Sequence, residues 1–424
     1  MNEKKKLVII GAGHRGNAYA RLAGETDKFE IVAVADPIKK RRDFVAARHG
    51  IPKEYVFESW EPLLALGKIA DAAIIATMDR DHLAPAIAAL DTGYDLLLEK
   101  PVAPTPEDCR AIEKRATELG RRVLICHVLR YTPFYRALKN AIDSGMVGKI
   151  LHVYATEGVG NIHHSHSFVR GNWANSETSS FMLLQKSCHD LDILQWLIGK
   201  ECKSVQSFGH LSYFKKENAP EGAPERCIDG CPHGDTCPYN SVKLYLDDKD
   251  SSKSFWFRST SSKSFEPTDE EVEYALRNTD YGKCVFKCNN NVVDHQIVNL
   301  EFEDDIICSF NMSAFNLGGR KICIMGTKGE IIAAADQPSF TFTDITTQKS
   351  TEIEISNMVT NDSIVGGHGG GDSGIINSFY DMLCGKTDPS LSNIEISVKN
   401  HMIAFAAEKS RLEGRVVKLS EMNV

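Results

Sequence analysis

LVIIGAGHRGNAYA, residues 7–20, is an apolar, β-branched run that stops at three glycines and resumes as a helix. Gly11, Gly13 and Gly16 fit G-x-G-x-x-G. In that spacing the first glycine permits a tight turn, the second lets the backbone approach a pyrophosphate, and the third lets helix and strand pack closely. The phosphates would sit at the helix N-terminus, where unpaired N–H groups and the helix dipole favour negative charge. Ala12, His14 and Arg15 share the loop and count with it as candidate cofactor-binding residues. Asp36 closes the next strand-like run, EIVAVAD, 20 residues after Gly16. A carboxylate there accepts hydrogen bonds from both ribose hydroxyls of an adenosine and repels a 2′-phosphate, which favours NAD over NADP. Lys39, Lys40 and Arg41 follow closely enough to soften that preference.

Outward from this loop, short β-branched runs alternate with helical stretches up to Cys126: EIVAVADP, AAIIAT, DLLLEKP and RVLIC, each separated by a helix. Such alternation means crossover units and a parallel sheet covered on both faces, so residues 1–126 are expected to form an α/β Rossmann dinucleotide-binding domain. Residues 127–424 read as an α+β domain with an open, mostly antiparallel sheet, whose free face offers a homodimer or homotetramer interface. Its expected parts include a polar loop holding His163, His164 and His166, and a helix from about Ser180 to Leu197. An atypical insertion follows at about 215–291. A glycine cluster at Gly366–Asp372 then precedes a last helix, about Ser373–Leu383, N-capped by Asp372 and packing back towards the active site.

The 424 residues, 42% hydrophobic and 25% charged, are too many for one core, which agrees with two domains. A net charge of -8 argues against nucleic acid or an anionic membrane as partner, because phosphate binding needs a clustered positive field. The opening MNEKKK leads straight into a strand, and no run reaches the roughly 18 apolar residues of a membrane helix, so the expected location is the cytoplasm.

At residues 71–101, DAAIIATMDRDHLAPAIAALDTGYDLLLEKP, a strand ends at Ala76-Thr77, His82 opens a helix, and Glu99-Lys100-Pro101 ends another strand. With the glycine loop, this pattern resembles the Gfo/Idh/MocA oxidoreductase family. The resemblance runs on through RYTPFYRALKNAIDSGMVGKI, CHDLDILQWLIG and the Gly366–Asp372 cluster. It implies a dinucleotide domain followed by an open-faced sheet domain, an active site between them, Thr77, His82 and Glu99 beside the cofactor, and a catalytic lysine at Lys100. It also implies an Asp four residues before a His on the helix of the second domain. Here the His is His189, but Gln185 stands at the Asp position.

Lys100 falls at the carboxyl end of a strand, the edge where open α/β sheets bind ligands. A lysine partly desolvated beside a nicotinamide can exchange a proton with a substrate hydroxyl while hydride moves; the plainer alternative is an ion pair with Glu99. Lys186, His189 and Asp190 stand at i, i+3 and i+4, on one helix face. The reading makes Lys100 and His189 the acid/base pair, Lys186 a polarising group on substrate oxygen, and Asp190 an orienting group, with a Lys186–Asp190 ion pair as the alternative. Arg170 and Trp173 in FVRGNW suit a sugar, by guanidinium hydrogen bonds and indole stacking, or else anchor their loop. His368, among glycines, can sit on a lid over the substrate, whereas His163, His164 and His166 read as solvated loop residues. Cys227, Cys231 and Cys237, with Cys202 or His233 as a fourth partner, leave open a structural zinc, an iron–sulfur cluster or plain reduced thiols.

The expected activity is NAD(H)-dependent hydride transfer to or from a secondary alcohol of a sugar, sugar derivative or cyclitol. Two alternatives stand beside it: glycoside cleavage with transient oxidation by a retained NAD, and an NAD-binding regulator without catalysis.

Overall fold

The computed structural model describes residues 4–422 apart from 250, 360–367, 387 and 389. The first domain runs β1 (Lys5–Ile10), α1 (His14–Gly24), β2 (Phe29–Ala35), α2 (Lys39–His49), β3 (Val56–Phe57), α3 (Trp60–Leu64), β4 (Ala72–Ile75), α4 (Leu83–Asp91), β5 (Asp95–Leu98), α5 (Pro106–Leu119) and β6 (Val123–Ile125). The six strands are parallel in the order β3-β2-β1-β4-β5-β6, so the order reverses between β1 and β4 beside the glycine loop. All of β4 and β5 is buried, as helices on both faces of a parallel sheet require.

The second domain contributes α6 (Pro133–Asp143), β7 (Ile150–Gly158), α7 (Asn161–His164), α8 (Met182–Gln185), α9 (Cys188–Ile198), β8 (Cys202–His210), α10 (Ser252–Ser262), α11 (Asp269–Asn278), β9 (His295–Phe302), β10 (Ile307–Ser313), β11 (Gly319–Gly326), β12 (Gly329–Ala334), β13 (Ser339–Asp344), β14 (Lys349–Glu354), α12 (Gly371–Leu383), α13 (Ile394–Glu413) and β15 (Val417–Lys418). Among the described residues, nine strands form one sheet, β14-β13-β12-β11-β7-β10-β9-β8-β15, in which only β7 and β10 pair in parallel. Helices cover one face, and the other carries Tyr154, Phe208, Ile307 and Ile332 at 43–54% exposure.

Four expectations need correction. The helix expected over Ser180–Leu197 is two helices, α8 and α9, broken at Lys186 and Ser187. The histidine loop is instead α7 and a wide turn over Ser165–Val169, with His164 and His166 buried. His166 stacks on Phe257 at 4.2 Å and its Nδ1 lies 2.6 Å from the Tyr245 hydroxyl, while His164 stacks on Phe214. Within the insertion, Ser252–Ser262 is helical, as α10, ahead of the acidic α11. Finally, α12 is not the last helix: the 20-residue α13 follows and packs on α9 and β8. Asp372 does not cap α12, whose N-cap is Gly370; it lies in the first turn and pairs with Arg15.

Candidate active site

The glycine loop turns at Gly11, where φ is +91° and a Cβ would lie 2.5 Å from the Ala76 carbonyl oxygen. A Cβ on Gly16 would stand 1.9 Å from the Gly11 carbonyl oxygen, so α1 can start this close to β1 only with glycine. Gly13 differs: the nearest atom to its Cβ position is an Arg41 guanidinium nitrogen at 3.7 Å. That open side is the approach a pyrophosphate needs, and α1 begins there with no side-chain cap and no acid in its first turn. Asp36 is buried at the end of β2 and accepts from the Ala12 and Ile38 N–H groups, each at 2.7 Å. The carboxylate is thereby fixed at the ribose position. These features fit a dinucleotide.

The side chains in and around the loop also tie the fold together. The Arg15 side chain turns away from the loop: Nε donates to Glu99 at 2.8 Å, and the terminal nitrogens reach Asp372 and Tyr19. Glu99 also accepts from Tyr19 and from the Lys100 N–H. Burial alone would raise the Glu99 pKa, but Arg15 and then Lys100 outweigh it and hold the carboxyl below its usual range. Arg15 and Glu99, both expected at the cofactor, thus also clamp α1, β5 and α12 together. His82, also assigned there, is buried with Nδ1 2.8 Å from the Pro101 carbonyl and Nε2 3.2 Å from the Thr77 carbonyl, and so ties two strand ends. The Thr77 hydroxyl donates to the Asp81 carbonyl. His14 packs under the insertion, its Nε2 3.1 Å from the hydroxyls of both Ser259 and Thr260, and burial lowers its pKa to about 4.

Lys100 stands just beyond β5, partly exposed, and its Nζ donates to the Gln185 carbonyl at 2.8 Å. The resemblance-derived Asp position thus meets Lys100 through its backbone, not through a carboxylate. His189, 7% exposed, lies four residues on in α9, its ring edge-on to His127 at 5.6 Å. His127 in turn lies 5.5 Å from His401 of α13, whose Nε2 accepts from the Val102 N–H. Burial is the main cause that lowers the His127 pKa, and it holds His401 at about 3, so a neutral imidazole cluster backs His189.

The alternative reading, a Lys186–Asp190 ion pair, does not form across the break at Ser187. Lys186 Nζ pairs with Glu157 at 3.2 Å, whereas Asp190 and Glu157 share the Arg320 Nε at 2.7 and 2.8 Å. Burial lowers the Lys186 pKa despite Glu157, and pushes Asp190 up to about 6 despite Arg320. Glu157, Arg320, His127 and His401 went unassigned in the sequence reading. Glu157 had one legible signal: it occupies an inward position of β7, in period with buried Val153 and Ala155.

Arg170 is 3% exposed and donates to the carbonyls of Lys283 and Tyr239, so it anchors the insertion and is not turned to a substrate. Trp173 spends its indole N–H on Asp79, which also accepts from Ser180. The His368 side chain and most of the glycine cluster before it lie outside the described residues. Among the described residues, no three His, Cys, Asp or Glu side chains stand ready to hold a metal, and no helix is long and apolar enough to cross a membrane.

Residues 5–127 match the family described as "Oxidoreductase family, NAD-binding Rossmann fold", and residues 139–419 match its "C-terminal alpha/beta domain". The chain is 25% identical to the oxidoreductase YteT of Bacillus subtilis (strain 168) over 90% of both proteins. It is 30% identical to inositol 2-dehydrogenase 1 of Saccharopolyspora erythraea, over 47% of this chain and 56% of that one. An oxidoreductase from Agrobacterium radiobacter, solved with NAD+, L-tartaric acid and magnesium, shares the fold at a TM-score of 0.69 and 16% identity, over 99% of this chain and all of that one. With glycine loop, fixed Asp36 and strand-end Lys100 on one scaffold, the chain belongs to the NAD-binding oxidoreductases of the Gfo/Idh/MocA family.

Proposed function

We propose that this enzyme oxidises or reduces a secondary alcohol of a cyclitol, sugar or sugar derivative, using NAD in preference to NADP. The observation that carries the reading is Lys100: a partly exposed ammonium at the carboxyl edge of β5, held by one hydrogen bond to the segment that leads into His189. One of its three N–H bonds is spent on Gln185, which leaves the others for a substrate oxygen. When bound, NAD supplies the hydride acceptor. Lys100 and His189 then take or return the hydroxyl proton, the first from the cofactor side and the second from the α9 side. Lys186, backed by Glu157, presents a charge at the floor of the site, and the Arg320–Asp190 pair fixes the start of α9. Inositol dehydrogenases among the relatives support the cyclitol class.

A second reading, cleavage of a glycoside with NAD retained and restored, draws on two observations. Gln185 replaces the expected carboxylate, and α10 closes on the glycine loop at His14. A panel of cyclitols, sugars and glycosides separates the two: net reduced-cofactor absorbance supports the dehydrogenase, and sugar release without it supports the cleavage. Lys100→Met should lower turnover by about 10²–10⁴-fold while NAD still binds; full activity in this variant would defeat both. The outward apolar residues of the large sheet support a homo-oligomer through that face, which light scattering reads directly. Twelve free cysteines fit a reducing, cytoplasmic setting.

A further inference from the structure

The insertion carries five cysteines in two short segments, RCIDGCPHGDTC and KCVFKC. Cys227, Cys231, Cys237, Cys284 and Cys288 are all free and only partly buried. The backbone brings the segments together. Arg226 and Lys283 form an isolated antiparallel bridge and the Cys284 N–H donates to the Glu225 carbonyl, which brings the segments of Cys227 and Cys284 side by side. Residues 231–237 curl into a turn, with the Gly234 N–H on the Cys231 carbonyl and the Cys237 N–H on the His233 carbonyl. Cys227, Cys231, Cys237 and Cys284 then line one cavity of about 20 Å³, together with Arg170. That volume holds a single water-sized ion.

Arg170 supplies a second, independent observation. Its guanidinium is buried, yet its partners are neutral: two carbonyls and the Cys227 sulfur at 3.5 Å. Its Nη1 is buried with no hydrogen-bond partner, and among the described residues no carboxylate pairs with it. A buried cation without a counter-charge is strongly unfavourable. Besides Tyr239, the thiols are the groups lining the cavity that can become anionic. A coordinating metal deprotonates such thiols outright.

We propose that Cys227, Cys231, Cys237 and Cys284 bind one Zn²⁺ as a tetrathiolate centre, with Arg170 as its buried counter-cation. Four S–H bonds release their protons to solvent, four Zn–S bonds form, and zinc remains divalent. No oxidant or reductant is needed, and Arg170 offsets half of the resulting double negative charge. The four side chains do not yet stand in ligating positions, so they must swing into the cavity they line. Cys288, whose Sγ donates to the Cys284 carbonyl, and His233, whose Nε2 contacts the Glu221 carbonyl, are directed elsewhere. Cys202 lies in β8 and donates to Ser204, so it is not the fourth ligand. The centre would brace the insertion whose α10 covers His14 of the glycine loop.

The test is elemental analysis of the full-length chain, as purified and after incubation with Zn²⁺ under reducing conditions. One zinc per chain is expected, with four sulfur neighbours at about 2.3 Å by X-ray absorption. A mercurial titration of the unmodified protein should release that zinc as four thiols react, which keeps the proposal testable if variants misfold. Cys231→Ser and Cys237→Ser should lose the metal, while Cys288→Ser should keep it. No zinc in either preparation, iron with acid-labile sulfide, or a disulfide among the four cysteines would each overturn the assignment.

Discussion

Arg320→Met removes one charge from a buried group of four. Lys186, Arg320, Glu157 and Asp190 sum to zero, with side chains only 18, 17, 3 and 6% exposed. Without Arg320 the group carries a net negative charge, and Asp190 loses the two guanidinium nitrogens that donate to its carboxylate. Removing one partner from a buried ion pair costs about 3–5 kcal/mol. At roughly 2 °C per kcal/mol for a chain of this size, the thermal midpoint should drop by about 6–10 °C. The loss should also depend on pH in a definite direction. Burial already pushes Asp190 up to about 6, and Arg320 is the largest influence opposing that rise. Between the unfolded carboxyl value near 4 and the higher folded value, the folded variant keeps a proton that the unfolded chain has released, so stability rises as pH falls through that window. Midpoints followed by circular dichroism at about pH 7.5 and about pH 5.5 should therefore show the deficit shrinking on acidification. Adding Asp190→Asn, which restores neutrality, should recover part of it at the higher pH. A deficit below about 1 kcal/mol, or one that neither acid nor Asp190→Asn relieves, would refute the charge argument.

Gly13→Ala and Gly16→Ala should separate binding from folding. The first has space for its methyl and should keep its melting temperature while NAD affinity falls; the second meets the Gly11 carbonyl and should lose both, as calorimetric titration and melting curves will show. Asp36→Ala removes the acceptor for the Ala12 and Ile38 N–H groups, at about 1–3 kcal/mol each, and should reduce the NAD-over-NADP ratio of kcat/KM. Burial holds His164 at about 4 and His166 and His401 at about 3. Below the unfolded histidine value near 6.5 the unfolded chain takes up protons that the folded chain refuses, so stability should fall as pH drops from about 6.5 towards about 4. Urea midpoints across that range test this, and a flat profile would contradict it.

Much of the first domain was legible because its signals are local. Alternating buried runs and glycine-ended helices specify crossover units, and the three glycines are demanded by contacts within one βα turn. The second domain was legible as strands but not as partners. Nothing in FMLLQKSCHDL announces the break at Ser187, since neither proline nor glycine marks it, and that break redirects Lys186 to Glu157. Arg320 pairs with Asp190 across 130 residues, a choice set by the register of β11 against β7. The histidines at 163–166 read as solvated because their polarity is local information, whereas Trp256 against His163 and Tyr245 and Phe257 against His166 come from the insertion, and Phe214 against His164 from beyond β8. α13 escaped notice because it is buried on several sides, with Ser397, Asn400 and His401 inside, and so lacks the one-sided apolar stripe of a surface helix.

The contact between His14 and the hydroxyls of Ser259 and Thr260, with the Lys40–Glu271 ion pair beside it, lays the insertion across the entrance to the nucleotide loop. Where that contact gates the nucleotide, the nucleotide leaves only as fast as the contact opens. If opening is slower than turnover, the dinucleotide ceases to be a co-substrate drawn from a shared pool and becomes a resident part. The enzyme would then carry its redox state from one substrate to the next, and its rate would follow substrate supply while ignoring the ratio of oxidised to reduced cofactor in its surroundings.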